Sequence, residues 1–224
     1  MTLKFLHKKH EVGTIYSFFF ENSEKIDWIA GQYLNLTMSD VPPVYADRIF
    51  TIASAPHENH LMITTWISES PFKKRLMELK PSEEVLADQL GGDFYWEDDG
   101  RDKLYLAGGI GITPFRSILI DRIHNKLPNN AVVLWSGKNE GRPFVGEIND
   151  LSDSDSTLRI HHYIDERIDV QQIHAAVPDF HGRTIYLAGS QQFVDGLGQA
   201  LMATGIPRSH LRYDWFDGYT EDIN

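Results

Sequence analysis

The chain has 224 residues, enough for one large domain or two small ones that each bury a core. Hydrophobic residues make up 42% and charged residues 24%, an ordinary globular balance, and no apolar run approaches the roughly 18 residues of a membrane span. A net charge of −11 argues against a nucleic-acid partner, whose phosphates require a basic surface. The lack of cysteine excludes disulfides, cysteine-held iron–sulfur clusters and thiol redox chemistry in these residues. Residues 1–10 are basic but no apolar stretch follows, so no signal peptide is expected, and a cytoplasmic location is.

Residues 3–99 read as short apolar segments broken by turns. Residues 14–20, 33–38, 49–53 and 61–67 are rich in β-branched and aromatic side chains and predict strands. One helix interrupts them: Pro71 suits its first turn, and Phe72, Leu76 and Leu79 share a face. Strands at this spacing predict a small antiparallel barrel or sandwich. The polar segment 97–102 is the candidate linker, dividing the chain into domains of residues 1–99 and 103–224.

Beyond it the rhythm changes. Short strands are expected at 104–107, 131–135, 158–163 and 184–188, with a helix running to about 126 and another over 191–203. Alternating strands and helices predict a parallel sheet covered on both faces. The first of these strands runs into Gly108-Gly109-Ile110-Gly111-Ile112-Thr113-Pro114. Its glycines allow a sharp turn, Thr113 is positioned to cap the next helix, and Pro114 suits the first helical position. The free N–H groups of such a helix start attract an anion such as a pyrophosphate. On spacing alone the loop also describes a tight strand-to-helix turn with no ligand. The ten histidines, His161-His162 among them, lack metal-ligand spacing, and no metal site is expected.

The loop resembles the GGxGxTP segment that contacts the pyridine nucleotide in the ferredoxin–NADP reductase family. Four more segments agree, in family order. Arg48-Ile49-Phe50-Thr51-Ile52-Ala53-Ser54 is similar to the family's R-x-[YF]-[ST]-x-x-S strand. Ser70-Pro71-Phe72-Lys73 resembles its phosphate-binding turn, and Gly91-Gly92-Asp93-Phe94 the loop ending its barrel. Tyr186-Leu187-Ala188-Gly189-Ser190-Gln191-Gln192-Phe193 resembles its later C-G-[PS] segment, with Ala188 where the family often has cysteine. The resemblance implies a flavin-binding antiparallel β-barrel followed by an α/β nucleotide-binding domain, with FAD rather than FMN as cofactor. It implies that Arg48 pairs with a flavin phosphate, Phe50 lies on the ring, and Thr51 bonds near N5. Ile52 and Ser54 continue that segment, and Ser70 caps the phosphate turn. Gly109, Gly111, Thr113, Pro114, Gly189, Ser190 and Phe193 would hold the nucleotide. Near the chain end, Phe216 or Tyr219 either covers the flavin face or belongs to a last strand with a core aromatic.

Relatives that use NADPH place Ser, Arg or Lys after the second parallel strand, and Ser136, Lys138 and Arg142 stand there, a lean toward NADPH over NADH. The implied activity is hydride transfer from NAD(P)H to the flavin, then electron transfer to a separate acceptor: a ferredoxin, flavodoxin, haem protein, ferric chelate, quinone or oxygen. A ferric-chelate or flavin reductase, and an accessory electron-transfer subunit without its own turnover, are the alternatives.

Overall fold

The computed structural model describes residues 1–22 and 26–216. Six strands, β1 (Thr2–Val12), β2 (Ile15–Glu21), β3 (Tyr33–Thr37), β4 (Asp47–Thr51), β5 (His60–Trp66) and β6 (Glu84–Gly91), form one antiparallel sheet in the order β4-β3-β6-β1-β2-β5. Alternate side chains such as Leu3, Phe18, Phe20, Leu34, Leu36, Ile63 and Val85 turn to one core. The sheet curls until its edges meet. Just beyond β4, the Ala53 N–H donates to Met62 O on β5 at 2.7 Å, and the Met62 N–H donates to Ser54 Oγ at 3.0 Å. Helix α1 (Pro71–Glu78) closes one end of this core with buried Phe72 and Leu76, and Leu79 just past it is buried too. Ser70 caps α1 through its side chain, as its position predicted. Strands β1 and β6 carry little apolar signal, because most of β1 is exposed and β6 buries only Val85 and Ala87 fully, with Leu90 partly buried against the core.

The second sheet holds β7 (Lys103–Gly108), β8 (Ala131–Gly137), β9 (Leu158–Ile164), β10 (Thr184–Ser190) and β11 (Leu211–Phe216). All are parallel, in the order β11-β10-β7-β8-β9. Helices α2 (Thr113–His124) and α3 (Val145–Ser154) cover one face. There Phe115, Ile118 and Ile148 meet Tyr105, Val133, Trp135 and Tyr186. Helices α4 (Val170–Ala176) and α5 (Gln191–Ala203) cover the other, where Ile173, Val194 and Leu201 meet Leu104, Leu106, Val132 and Leu187. Burial on both faces is why β7, β8 and β10 read as near-continuous apolar runs, while β9 and β11 are partly exposed.

Segment 97–102 has no regular secondary structure, yet it is pinned to the second sheet. Glu97 takes both ends of the Arg212 guanidinium at 2.6 Å, and Asp99 accepts from Lys103 and from Thr184. One expectation fails locally. Residues Gly109–Ile112 form a single 3₁₀ turn, so Thr113 is the first residue of α2 instead of its cap. Its N–H bonds Ile110 O and its hydroxyl makes no capping bond. A preceding 3₁₀ turn already satisfies donors that a capping hydroxyl would take. Pro114 does lie in the first turn.

Candidate functional site

A cavity of about 880 Å³ opens between the two sheets. Strand β4 lays Arg48, Ile49, Phe50 and Thr51 along it, and β5 adds Thr64, Thr65 and Trp66. The start of α1 adds Ser70 and Lys73, the rim past β6 adds Gly92, Asp93 and Phe94, and Ile110, Thr113 and residues 213–215 close the far side.

The two ends of the cavity differ in chemistry. One end carries the cavity's cations, although Asp47 and Asp88 also line the cavity. Lys73 is buried, its ammonium 3.4 Å above the Trp66 ring, and it stands with Arg48 and the N-terminus of α1. Phe50 lies at the boundary of cavity and core, its ring 5.7 Å from that of Phe72. The other end carries a hydroxyl–carboxyl pair. Thr51 Oγ1 donates to Asp214 Oδ2 at 3.2 Å, across 163 residues of chain. Asp214 is half-buried and lines the cavity wall. Burial pushes its carboxyl up to about 7; the Thr51 hydrogen bond opposes this and nearby Asp93 adds to it.

The remaining sequence-expected residues fall into three places. Ile52 and Ser54 sit fully buried behind the wall. The Ile52 N–H is bonded to Gln32 O, and Ser54 O accepts from Trp28 Nε1 and Ser117 Oγ.

The two glycine segments pack on each other at the carboxyl ends of β7 and β10. Gly109 has φ +54°, which favours glycine. A Cβ on Gly111 would stand 2.2 Å from Ala188 O and 2.7 Å from Gly189 N. The contact between loops, more than ligand access, therefore demands glycine at 111. Ser190 Oγ caps α5, accepting from the Phe193 N–H, and the Phe193 ring lies against Gly108 and Gly189.

The third group lies beyond β8. Ser136 is buried with its hydroxyl 3.5 Å from Ala107 O, and Lys138 is exposed. Arg142 is only 3% exposed. Its guanidinium lies 4.4 Å over the Trp135 ring and is hydrogen-bonded to His162 Nδ1. Arg142 Nε is buried with no acceptor, and burial lowers the pKa of the group. Of the candidates, Arg48, Phe50, Thr51, Ser70 and Thr113 line the cavity. Tyr219 lies outside the described residues, as does the side chain of Phe216.

Sequence reading missed Asp214, and the ammonium of Lys73 as a cavity group. Leu211-Arg212-Tyr213-Asp214-Trp215 alternates like a half-exposed strand, in which an acid is unremarkable.

No family model matches the chain. It is 22% identical to flavohemoprotein A of Dictyostelium discoideum over 236 residues, 95% of this chain and 59% of that protein. It is 30% identical to an NAD(P)H-flavin reductase of Aliivibrio fischeri over 120 residues, covering 50% of this chain and 49% of that one. The chain thus spans about three-fifths of the first and half of the second. Among solved structures, it matches the FAD/NAD-binding domain of nitric oxide dioxygenase from Vibrio cholerae O1 biovar El Tor. The TM-score is 0.81 and the identity 19%, over 96% of this chain and 98% of that one. It also matches ferredoxin–NADP+ reductase from Plasmodium falciparum, with a TM-score of 0.80 and 12% identity, over 96% and 95% of the two chains. An antiparallel sheet joined to a parallel sheet with helices is their shared architecture, and the homologues and structural neighbours of this chain are ferredoxin–NADP reductase-like FAD/NAD(P)-binding flavoprotein reductases.

Proposed function

We propose that the chain is an NAD(P)H-dependent flavoprotein reductase, with FAD held between a barrel domain of residues 1–99 and a nucleotide domain of residues 103–224. The observation that carries this is the cavity itself. It joins a cationic, helix-capped end to the Thr51–Asp214 pair, and its walls come from both sheets. The donor set fits the group. Arg48, Lys73 and the N–H groups at the start of α1 suit a phosphate or pyrophosphate. Phe50, Trp66 and Tyr33 offer aromatic surface for a planar ring system, and the volume lies within the usual range for a cofactor site.

The bound flavin would accept a hydride from the nicotinamide and release electrons to a separate acceptor. The chain's own residues bind, orient and polarise. Arg48 and Ser70 would anchor the phosphate end and so fix the ring along β4. With Asp214 ionised, the Thr51 hydroxyl donates to it and turns a lone pair to the cavity. With Asp214 protonated, the bond can reverse, and the Thr51 proton then faces the cavity. The pair would therefore hold a proton at the cavity wall, where burial favours the protonated carboxyl.

Gly109, Gly111, Gly189, Ser190 and Phe193 would shape the nicotinamide end of the nucleotide site, beside Thr113 and Pro114. Open α/β sheets bind ligands at such strand ends. Ser136, Lys138 and Arg142 would meet the adenosine end, and the buried cation of Arg142, stacked on Trp135 with an Nε that lacks an acceptor, favours NADPH. The acceptor is proposed only as a redox partner or small molecule. Among the described residues no helix is long and apolar enough to cross a membrane.

The test is a visible spectrum of the purified protein before and after anaerobic addition of NADPH or NADH. Flavin bands that bleach are expected, faster with NADPH. A protein that takes up no flavin even when supplied would sink the proposal, and a bound flavin that never bleaches would make the chain an accessory subunit.

A further inference from the structure

A single buried arginine ties together the parts that must meet for hydride transfer. Arg116 lies in the first turn of α2, directly after the glycine loop, and is 5% exposed. Its Nη1 donates to Ala53 O at 2.7 Å and to Glu58 Oε2 at 2.9 Å. Its Nη2 donates to Glu58 Oε1 at 3.1 Å and to Glu147 Oε1 at 2.7 Å, and its Nε donates to Glu147 Oε2 at 2.7 Å. All five N–H groups of the fork are thereby used. The next residue repeats the grip: Ser117 Oγ donates to Ser54 O at 2.7 Å.

The geometry of these bonds is specific. Ala53 and Ser54 follow Thr51 by two and three residues. Consecutive residues of α2 therefore hold consecutive carbonyls of the segment that carries the hydroxyl of the cavity. Glu147 lies in the first turn of α3, just beyond the loop of Lys138 and Arg142, and the Phe144 ring lies 5.3 Å from the Arg116 guanidinium. The contact continues down α2, where the His124 ring stacks on His57 at 3.6 Å. Apolar contacts also cross here, Phe94 against Phe115 at 5.5 Å between centroids, but such packing tolerates small slides. Five directed hydrogen bonds from one planar group do not.

We propose that Arg116 is a positioning residue for the reductase reaction: it sets the separation and tilt between the Thr51 segment and the nucleotide loop at the start of α2. This rests on the reading of the chain as a flavoprotein reductase. Arg116 does not line the cavity, so its loss acts on alignment and leaves the phosphate-binding groups of each cofactor in place. Lysine, with three rotatable donors and no planar fork, restores charge but not geometry.

The experiment is rapid-mixing reduction of the flavin-loaded protein by NADPH and by NADH, for the wild type, Arg116→Met, Arg116→Lys and Ser117→Ala. Each gives a limiting bleaching rate and an apparent nucleotide dissociation constant. For Arg116→Met the limiting rate is expected to fall roughly 10- to 100-fold, with flavin content and dissociation constant within about twofold of wild type, the pattern of lost alignment. Arg116→Lys should fall between. Ser117→Ala should slow reduction a few-fold, and it keeps Ser54 O satisfied by Trp28 Nε1, so it decides the question even where the Arg116 variants do not fold. Unchanged limiting rates, or a loss wholly in flavin or nucleotide affinity, overturn the positioning role alone. A wild-type protein that does not bleach overturns this role and the reductase reading together.

Discussion

Asp214 shows how the fold remakes a single residue. An ordinary aspartate titrates near 3.8; here burial between two sheets carries the carboxyl to about 7. The fold binds the proton more tightly than the unfolded chain does. Stability from this group is therefore present below pH 3.8 and is lost as pH rises through about 7. Asp214→Asn removes that dependence. It should stabilise the protein by roughly 2–4 kcal/mol at pH 8 and leave it nearly unchanged at pH 3, measured by urea titration at both pH values. The same substitution should flatten the pH profile of flavin bleaching around neutrality. A variant that keeps the wild-type profile would remove Asp214 from the proton account.

Arg142 is the second residue whose setting decides its meaning. In the sequence it is a basic residue in a loop; in the structure it is a buried cation stacked on Trp135 with an unsatisfied Nε. Arg142→Met should therefore weaken NADPH more than NADH, by about 1–3 kcal/mol, the worth of a charge-assisted hydrogen bond. Nucleotide dissociation constants check it, and equal losses for the two would assign Arg142 to packing.

At the scale of elements, the glycine loop and the cap of α1 carry separate predictions. Gly111→Ala would drive a methyl to 2.2 Å from Ala188 O, part of the strand end on which the loop rests. Backbone cannot yield as a flexible side chain does. The expected cost is about 1–3 kcal/mol of stability by thermal unfolding, with flavin uptake retained and nucleotide-driven bleaching lost. Ser70→Ala should cost about 1 kcal/mol and reduce flavin retention, since the cap and the cavity wall are one side chain.

The elements themselves were unevenly legible. Expected residues 191–203 match α5, and the four parallel strands foreseen lie within β7 to β10; β7, β8 and β10 were legible because doubly buried strands must be apolar along their length. Helices α3 and α4 went unseen because each has only one fully buried side chain within its bounds, Ile148 and Ile173. Strand β1 escaped because from Leu6 to His10 it is exposed and basic. The Thr113 cap failed for a local reason as well: sequence spacing does not distinguish a cap from the end of a preceding 3₁₀ turn.

At the scale of the molecule, the two sheets are joined by an interface with an apolar part and a charged part. Arg116 is enclosed, and both of its carboxylate partners are partly open to water. Burial alone would raise the Glu58 carboxyl, but the Arg116 hydrogen bond and charge hold it below its ordinary value. Removing the arginine leaves the Glu58 carboxylate without the cation that neutralises it. Arg116→Met should cost about 3 kcal/mol in thermal unfolding, and a variant as stable as wild type would show that water fully replaces the cluster.

Sequence alone determined the division into an antiparallel and a parallel half, the order of the segments, and the position of the glycine loop. These follow from period, turn chemistry and propensity, which act over a few neighbouring residues. Tertiary structure alone decided that Thr51 meets Asp214, that Arg116 holds Ala53 and Glu58, and that Arg142 is buried. Each joins residues brought together only by packing, and both desolvation and hydrogen-bond geometry are properties of that packing, not of the segments that enter it.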